Sequence, residues 1–288
     1  MERDSIETAK VTLRDGWRGK VVIRDAQGER FSIDQWQTIL AEPAKLVDAA
    51  ERTIKSIGPN RVVVKELGTK DKRVRAVIKR HHRGGGVREF FRSMGRPRAV
   101  RNFDMAVKTA GLGICGAAAL AAVYHRGVML CRESIYISEY VDGLSLYGFL
   151  KNLPAEGKER IEIARRLAER IAGVFADLHK NGLWHRDAKA TNFIVSRRNP
   201  GDYEVVPADM DGIKPYFIRS QKKQMRALWQ LGASVMNLPN IRRTDYLRLF
   251  KAYCEKAGIP KEKHRQLRNL LAKKTVEKYR QNVRKWEV

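Results

Sequence analysis

The hydrophobic period of this chain changes part-way along, and that change limits what it can fold into. Residues 17–24, "WRGKVVIR", and 30–33, "RFSI", alternate polar and apolar around the turn signal "DAQGE", a strand-turn-strand pattern. Residues 34–50 have helical spacing, interrupted at Pro43. Three extended pieces follow, "RTIKSIG", "RVVVKEL" and "RVRAVIKR", parted by "GPN" at 58–60 and "GTKDK" at 68–72, the pattern of an antiparallel meander. A helix is expected from Pro97 through Ala110, then an Ala-rich connection, then a strand in "ESIYISEYVDG". From Leu144 onward the texture is helical, with a long amphipathic segment from Glu159 to Asn181 closed by Gly182, and helical, basic sequence beyond Lys214. A mostly β half followed by a mostly α half predicts an α+β chain of two lobes, 1–143 and 144–288, with a cleft between them.

With 288 residues, 43% of them hydrophobic, the chain can fill two ordinary cores, which excludes a disordered tail. Cys115, Cys131 and Cys254 stand far apart without CxxC spacing, so they form neither a disulfide framework nor a zinc site, and a reducing compartment fits. The weakly polar run "GLGICGAAALAAV" is well short of the roughly 20 apolar residues of a membrane span. The first ten residues carry both signs of charge and no apolar core of a signal peptide. A cytoplasmic protein without a transmembrane segment is expected.

Charge is the unusual part of the composition: 58 Lys and Arg against 32 Asp and Glu, a formal +26. Such a field attracts polyanions, whether nucleic acid, phosphorylated glycolipid or an anionic membrane face.

Between the long helix and a hairpin of two short strands lies "GLWHRDAKATNFIV", residues 182–195, with His185, Arg186, Asp187, Lys189 and Asn192 crowded between apolar runs. Asn192 follows Asp187 by five positions, and the hairpin returns "DMDG", with Asp209, beside them. Three oxygen-bearing side chains at a loop rim suit Mg²⁺, which takes hard oxygen ligands and shares its shell with phosphates. They also suit phosphoryl transfer, in which one Asp accepts the proton of an attacking hydroxyl. A solvated loop, with Asp187 and Asn192 making local turn hydrogen bonds, is the plainer alternative. Upstream, "RAVIK" places Lys79 at the end of the third meander strand, the apolar-apolar-Lys pattern with which kinases grip the α- and β-phosphates of ATP.

Taken together, "VIKR" (77–80), "RSMGRPRAVRNFDMAVKTAGLGI" (92–114), "ESIYISEYVDG" (133–143), "HRDAKATNFIV" (185–195) and "ADMDG" (208–212) resemble the protein-kinase-like fold. More narrowly they resemble the lipopolysaccharide core kinase family, which phosphorylates Kdo or heptose sugars of the inner core. The resemblance covers roughly residues 53–235. It implies a bilobal fold with an antiparallel, β-rich N-lobe and a mostly helical C-lobe, and ATP and Mg²⁺ as cofactors. It makes Asp187 the catalytic base, Asn192 and Asp209 the metal ligands and Lys79 the phosphate-binding lysine. Asp104 becomes the helix partner of Lys79, with Glu89 as the alternative because Asp is one methylene shorter than the usual Glu.

Two departures from the kinase pattern stand out. "DMD" replaces DFG, and no APE-like segment follows, so control by a phosphorylated activation loop is not expected. The phosphate loop is reduced to "SIGPN", leaving backbone contacts from Gly58 to Asn60 to cover the nucleotide. Glu139 and Tyr140 are expected to offer backbone groups to the adenine. His81 and His82 have no third ligand at a matching spacing and read as strand-end histidines, and Trp184 reads as core.

The expected acceptor is therefore an anionic glycolipid, the lipopolysaccharide core, met by a basic protein peripheral to the cytoplasmic face of the inner membrane; nucleic acid is disfavoured. A minimal RIO-like protein kinase is the alternative. A small-molecule phosphotransferase of the aminoglycoside type would want an acidic cleft. A non-catalytic polyanion-binding scaffold would have no reason to retain Lys79, Asp187, Asn192 and Asp209 together.

Overall fold

The computed structural model describes residues 6–48, 50–82, 94–127, 130–199, 201–216 and 220–284. The chain forms two compact units, Met1–Tyr140 and Val141–Val288, dividing three residues before the change of texture in the sequence.

The first unit is built on one antiparallel sheet. Its strands are β1 (Glu7–Thr12), β2 (Trp17–Asp25), β3 (Gly28–Glu29), β4 (Arg52–Ile57), β5 (Asn60–Gly68), β6 (Arg73–His82), β7 (Ala119–Arg126) and β8 (Cys131–Glu139). They lie in the order β1-β2-β7-β8-β6-β5-β4, with β3 paired to β2. The expected meander is β4-β5-β6, with Ile57 opposite Asn60 and Val64 opposite Val77. One sheet face is apolar: Val21, Val63, Ile78, Val123, Ile135 and Ile137 pack with Phe31, Trp36 and Leu40. Trp36 lies in α1 (Ile33–Ile39), fully buried, and its indole N–H is satisfied by the carbonyl of Val22 at 2.9 Å. A second helix, α2 (Arg98–Gly111), packs on β7 and β8.

Two local readings are corrected here. "RFSI" is not a strand, because Ser32 caps α1: its hydroxyl accepts from the Gln35 N–H at 3.2 Å, and the Gln35 side chain accepts from the Ser32 N–H at 2.9 Å. The reciprocal cap outweighs the period-two pattern. The Ala-rich connection after α2 is instead strand β7, buried throughout Ala119–Val123. A strand covered on both faces loses the alternation by which strands are recognised.

The second unit begins with β9 (Leu144–Ser145) and α3 (Leu146–Lys151), followed by the long α4 (Lys158–Lys180) and β10 (Leu183–His185). Next come the hairpin β11 (Phe193–Asn199) and β12 (Asp202–Pro207), then β13 (Ile213–Pro215). Three helices close the unit: α5 (Gln221–Ser234), α6 (Arg243–Ala257) and α7 (Lys261–Val283). Strands β12-β11-β9 make one small sheet and β10-β13 another. Leu167, Ile171, Phe175, Phe193, Val205, Leu228 and Tyr253 meet in its core. Arg160, fully buried on α4, is held by Asp245 at 3.0 Å and by the Asn240 carbonyl at 2.8 Å, which ties α4 to α6. Among the described residues no helix is long and apolar enough to cross a membrane.

Candidate active site

Backbone pairing in the second unit brings the loop and the hairpin together. Phe193 stands opposite Pro207 across β11-β12, and the ladder continues one step further, with the Ala208 N–H donating to the Asn192 carbonyl at 2.9 Å. Asp209 is the next residue. His185 pairs with Ile213 across β10-β13, and the Arg186 N–H reaches the Gly212 carbonyl at 2.7 Å, which leaves Asp187 at the mouth of that ribbon. The Asn192 side-chain amide donates to the Asp187 carbonyl at 2.8 Å. Asp187, Asn192 and Asp209 thus gather at one end of two short ribbons, each half-buried.

His185 is the pivot of this arrangement. Its ring is fully buried, stacks on Phe193 at 5.4 Å, and lies against Gly212, where a Cβ would sit 2.3 Å from the imidazole Cε1. Any side chain at 212 would displace the ring, so the glycine of "DMDG" is fixed by close approach. Burial pushes the His185 pKa from 6.5 down to about 4, against the opposing pull of the nearby Asp209 and Asp187 carboxylates. The ring is therefore neutral at ordinary pH.

Several residues at the site were not singled out from the sequence. Lys189 Nζ lies 3.3 Å from Asp187 Oδ1, and its position two residues after Asp187 was the available signal. The loop backbone is also held from α5: Ser234 Oγ accepts from the Ala190 N–H at 2.9 Å, and Gln230 Oε1 from the Ala188 N–H at 3.4 Å. No sequence pattern links these helix positions to the loop.

In the first unit Lys79 lies on β6, opposite Val62 of β5 and Tyr136 of β8. Asp104, the expected helix partner of Lys79, has two cations of its own. Asp104, on α2, meets Lys20 of β2 at 3.0 Å and also Arg96. The register runs Lys79, Tyr136, Ala122, Lys20 across β6, β8, β7 and β2. Three strand spacings put Lys79 and Lys20 roughly 14 Å apart at the backbone. Glu89, the alternative partner, and the glycine-rich segment 83–89 lie outside the described residues.

The other residues expected on the nucleotide side lie at strand ends of the same sheet. Gly58 has φ +54°, and Pro59 completes the two-residue β4-β5 turn, whose crest faces open space. The Asn60 side-chain Oδ1 accepts from the His82 N–H at 2.9 Å, which fixes the start of β5 against the end of β6. The backbone N–H groups of Glu139 and Tyr140 are also committed, to the carbonyls of Ala118 and Arg75, each at 2.8 Å. His82 pairs with Glu133 at 3.4 Å, and among the described residues no group of three or more His, Cys, Asp or Glu is placed to hold a metal.

The family model for lipopolysaccharide kinases of the Kdo/WaaP type matches residues 60–253, two-thirds of the chain. The chain belongs to the lipopolysaccharide kinase (Kdo/WaaP) family. The span includes Lys79, Asp187, Asn192 and Asp209 and ends inside α6. The fold agrees: the solved structure of WaaP in complex with acyl carrier protein superposes with a TM-score of 0.59, covering 83% of this chain and 93% of that one at 17% identity. A probable serine/threonine-protein kinase of Dictyostelium discoideum is 30% identical over 94 residues, 33% of this Kdo/WaaP-family chain and 9% of that protein's length.

Proposed function

We propose that this chain transfers the γ-phosphoryl group of ATP to a sugar hydroxyl, Kdo or heptose, of the lipopolysaccharide inner core. The observation that carries the reading is the meeting of Asp187, Asn192 and Asp209 at one ribbon end, in a chain of the lipopolysaccharide kinase family. Asp187 accepts the proton of the attacking sugar hydroxyl. Lys189, beside it, offsets charge that develops on the transferring phosphoryl. Lys79 of the first unit binds the nucleotide phosphates.

The donor set fits Mg²⁺. The Asn192 amide nitrogen is occupied by the Asp187 carbonyl, which leaves Oδ1 as the end available to a cation, and Asp209 adds a carboxylate; both are hard oxygen donors. When bound, Mg²⁺ neutralises phosphate oxygens.

The acceptor class follows from the family and from the charge. A formal +26 suits an acceptor rich in carboxylate and phosphate, lying at the anionic cytoplasmic face of the inner membrane. Phosphorylation of a protein acceptor is the second reading, favoured by the match to the Dictyostelium kinase over a third of the chain.

One assay separates them. Purified protein is given ATP and Mg²⁺ with Kdo-lipid, heptosylated core glycolipid or a generic protein acceptor, and the position of the new phosphate is read by mass spectrometry. Phosphate on the glycolipid sugar is expected. Asp187→Asn should lower that transfer by about 10²- to 10⁴-fold with ATP affinity retained. Wild-type turnover in the variant, or phosphate on protein alone, refutes the reading.

A further inference from the structure

A cluster of cations stands beside the catalytic loop in the second unit, and none of the roles above employs it. Trp184 is buried in β10, and Lys214 lies directly opposite it on β13. Over the indole ring lie two exposed cations of α5, Lys223 Nζ at 5.7 Å and the Arg226 guanidinium at 5.9 Å from the centroid. Two residues along the same strand direction, Arg186 reaches Asp211 at 3.8 Å, and Lys214 reaches the same carboxylate at 3.5 Å. Arg186 and Lys214 therefore share the acid Asp211, and Lys223 and Arg226 stand beside them over Trp184. Among the described residues neither Lys223 nor Arg226 has a carboxylate within 4.0 Å.

This placement works against local stability in two ways. Lys223 and Arg226 are three apart on one helix, where like charges repel. The first turn of α5 carries Lys222 and Lys223 and no acid, although a helix start favours negative charge. The aromatic ring of Trp184 holds both cations near one another, and both are exposed. Asp187 follows Trp184 by three positions, at most about 10 Å of chain, so an acceptor with its hydroxyl at Asp187 would bring a neighbouring acidic group to this cluster.

We propose that Lys223 and Arg226, held on Trp184 and flanked by Lys214 and Arg186, form an oxyanion subsite that binds an acidic group of the acceptor. A sugar carboxylate and a phosphate monoester present the same chemistry to it, an oxyanion that takes paired donors from the guanidinium and a point charge from the lysine. The assignment rests on the acceptor reading given above. It adds that the acid next to the reacting sugar, as well as the sugar itself, selects the acceptor.

Two measurements on the full chain test it. Amine-reactive labelling of Lys223, quantified by mass spectrometry, should be suppressed by millimolar Kdo or inorganic phosphate and not by a neutral hexose. Suppression by Kdo alone assigns the carboxylate, and by phosphate alone the phosphate ester. Equal labelling in all solutions overturns the site. In the second, the variant Lys223→Gln/Arg226→Gln, altered only at exposed positions, should raise the KM for core glycolipid about tenfold, equivalent to about 1.4 kcal/mol, with kcat and the ATP KM unchanged. An unchanged acceptor KM overturns the subsite and leaves the proposed activity standing. If the wild type phosphorylates no core glycolipid, the proposed activity fails, and the labelling still decides whether the cluster binds oxyanions.

Discussion

The buried imidazole of His185 makes acid sensitivity a quantitative test of how this site is packed. Burial holds its folded pKa near 4, against 6.5 for an ordinary histidine. Between those values the unfolded chain binds a proton that the folded chain does not, so stability rises with pH across the window. The contribution is complete above about pH 6.5 and is lost as pH falls toward 4. A gap of about 2.5 pH units, at 1.36 kcal/mol for each, is worth about 3 kcal/mol. That is a large share of the 5–15 kcal/mol typical of a folded domain.

Neither ring nitrogen of His185 has a hydrogen-bond partner among the described residues. His185→Leu therefore removes a titrating group without orphaning a polar one. Urea unfolding at several pH values from 7.5 to 4.5, followed by circular dichroism, should give the wild type a steeper loss of stability than the Leu variant. The difference should approach 1.4 kcal/mol per pH unit in mid-window. Parallel pH curves for the two proteins, or an NMR titration of the His185 ring with its midpoint near 6.5, would refute the argument. Because the ring is neutral throughout the physiological range, its titration should also leave no inflection in the rate profile near pH 6.5.

Other consequences can be checked alongside. Lys79→Ala should impair nucleotide positioning at any Mg²⁺ concentration, whereas Asp209→Ala should regain part of its turnover as Mg²⁺ is raised; equal rescue of both in steady-state kinetics would contradict the division of roles. On α7, Arg265, Arg268, Lys273 and Arg280 are exposed, while Lys274 is paired with Glu277 at 2.7 Å. Neutralising those four exposed cations should weaken sedimentation with anionic vesicles, at about 1 kcal/mol per basic residue near such a surface. Salt should mimic the change, since exposed charges are screened beyond about 10 Å at 0.1 M, and indifference to both would make α7 merely solvated surface.

Much of the architecture is written locally in this chain. The meander of β4, β5 and β6 follows from period-two runs cut by "GPN" and "GTKDK", and α4 from its apolar spacing and Gly182. The gathering of Asp187, Asn192 and Asp209 was legible because a short hairpin must bring its ends together, so five residues of loop and one return strand determine who meets whom. Apart from the local Ser32 cap that overrides the strand pattern of "RFSI", the contacts that the sequence does not reveal join segments far apart in the chain. The Asp104–Lys20 pair depends on sheet order, which sets β7 beside β2 under α2, and nothing in the period of any one strand encodes that order. The N–H groups of Glu139 and Tyr140 are spent on Ala118 and Arg75 for the same reason. Strand β7 was hidden because burial on both faces erases alternation. The cations over Trp184 come from a helix nearly forty residues downstream, and only packing brings α5 to β10. Periodicity and turn chemistry act over a few residues and so fix the elements, whereas strand order and helix placement minimise exposed apolar surface over the whole unit, and it is they that choose the partner of each charge.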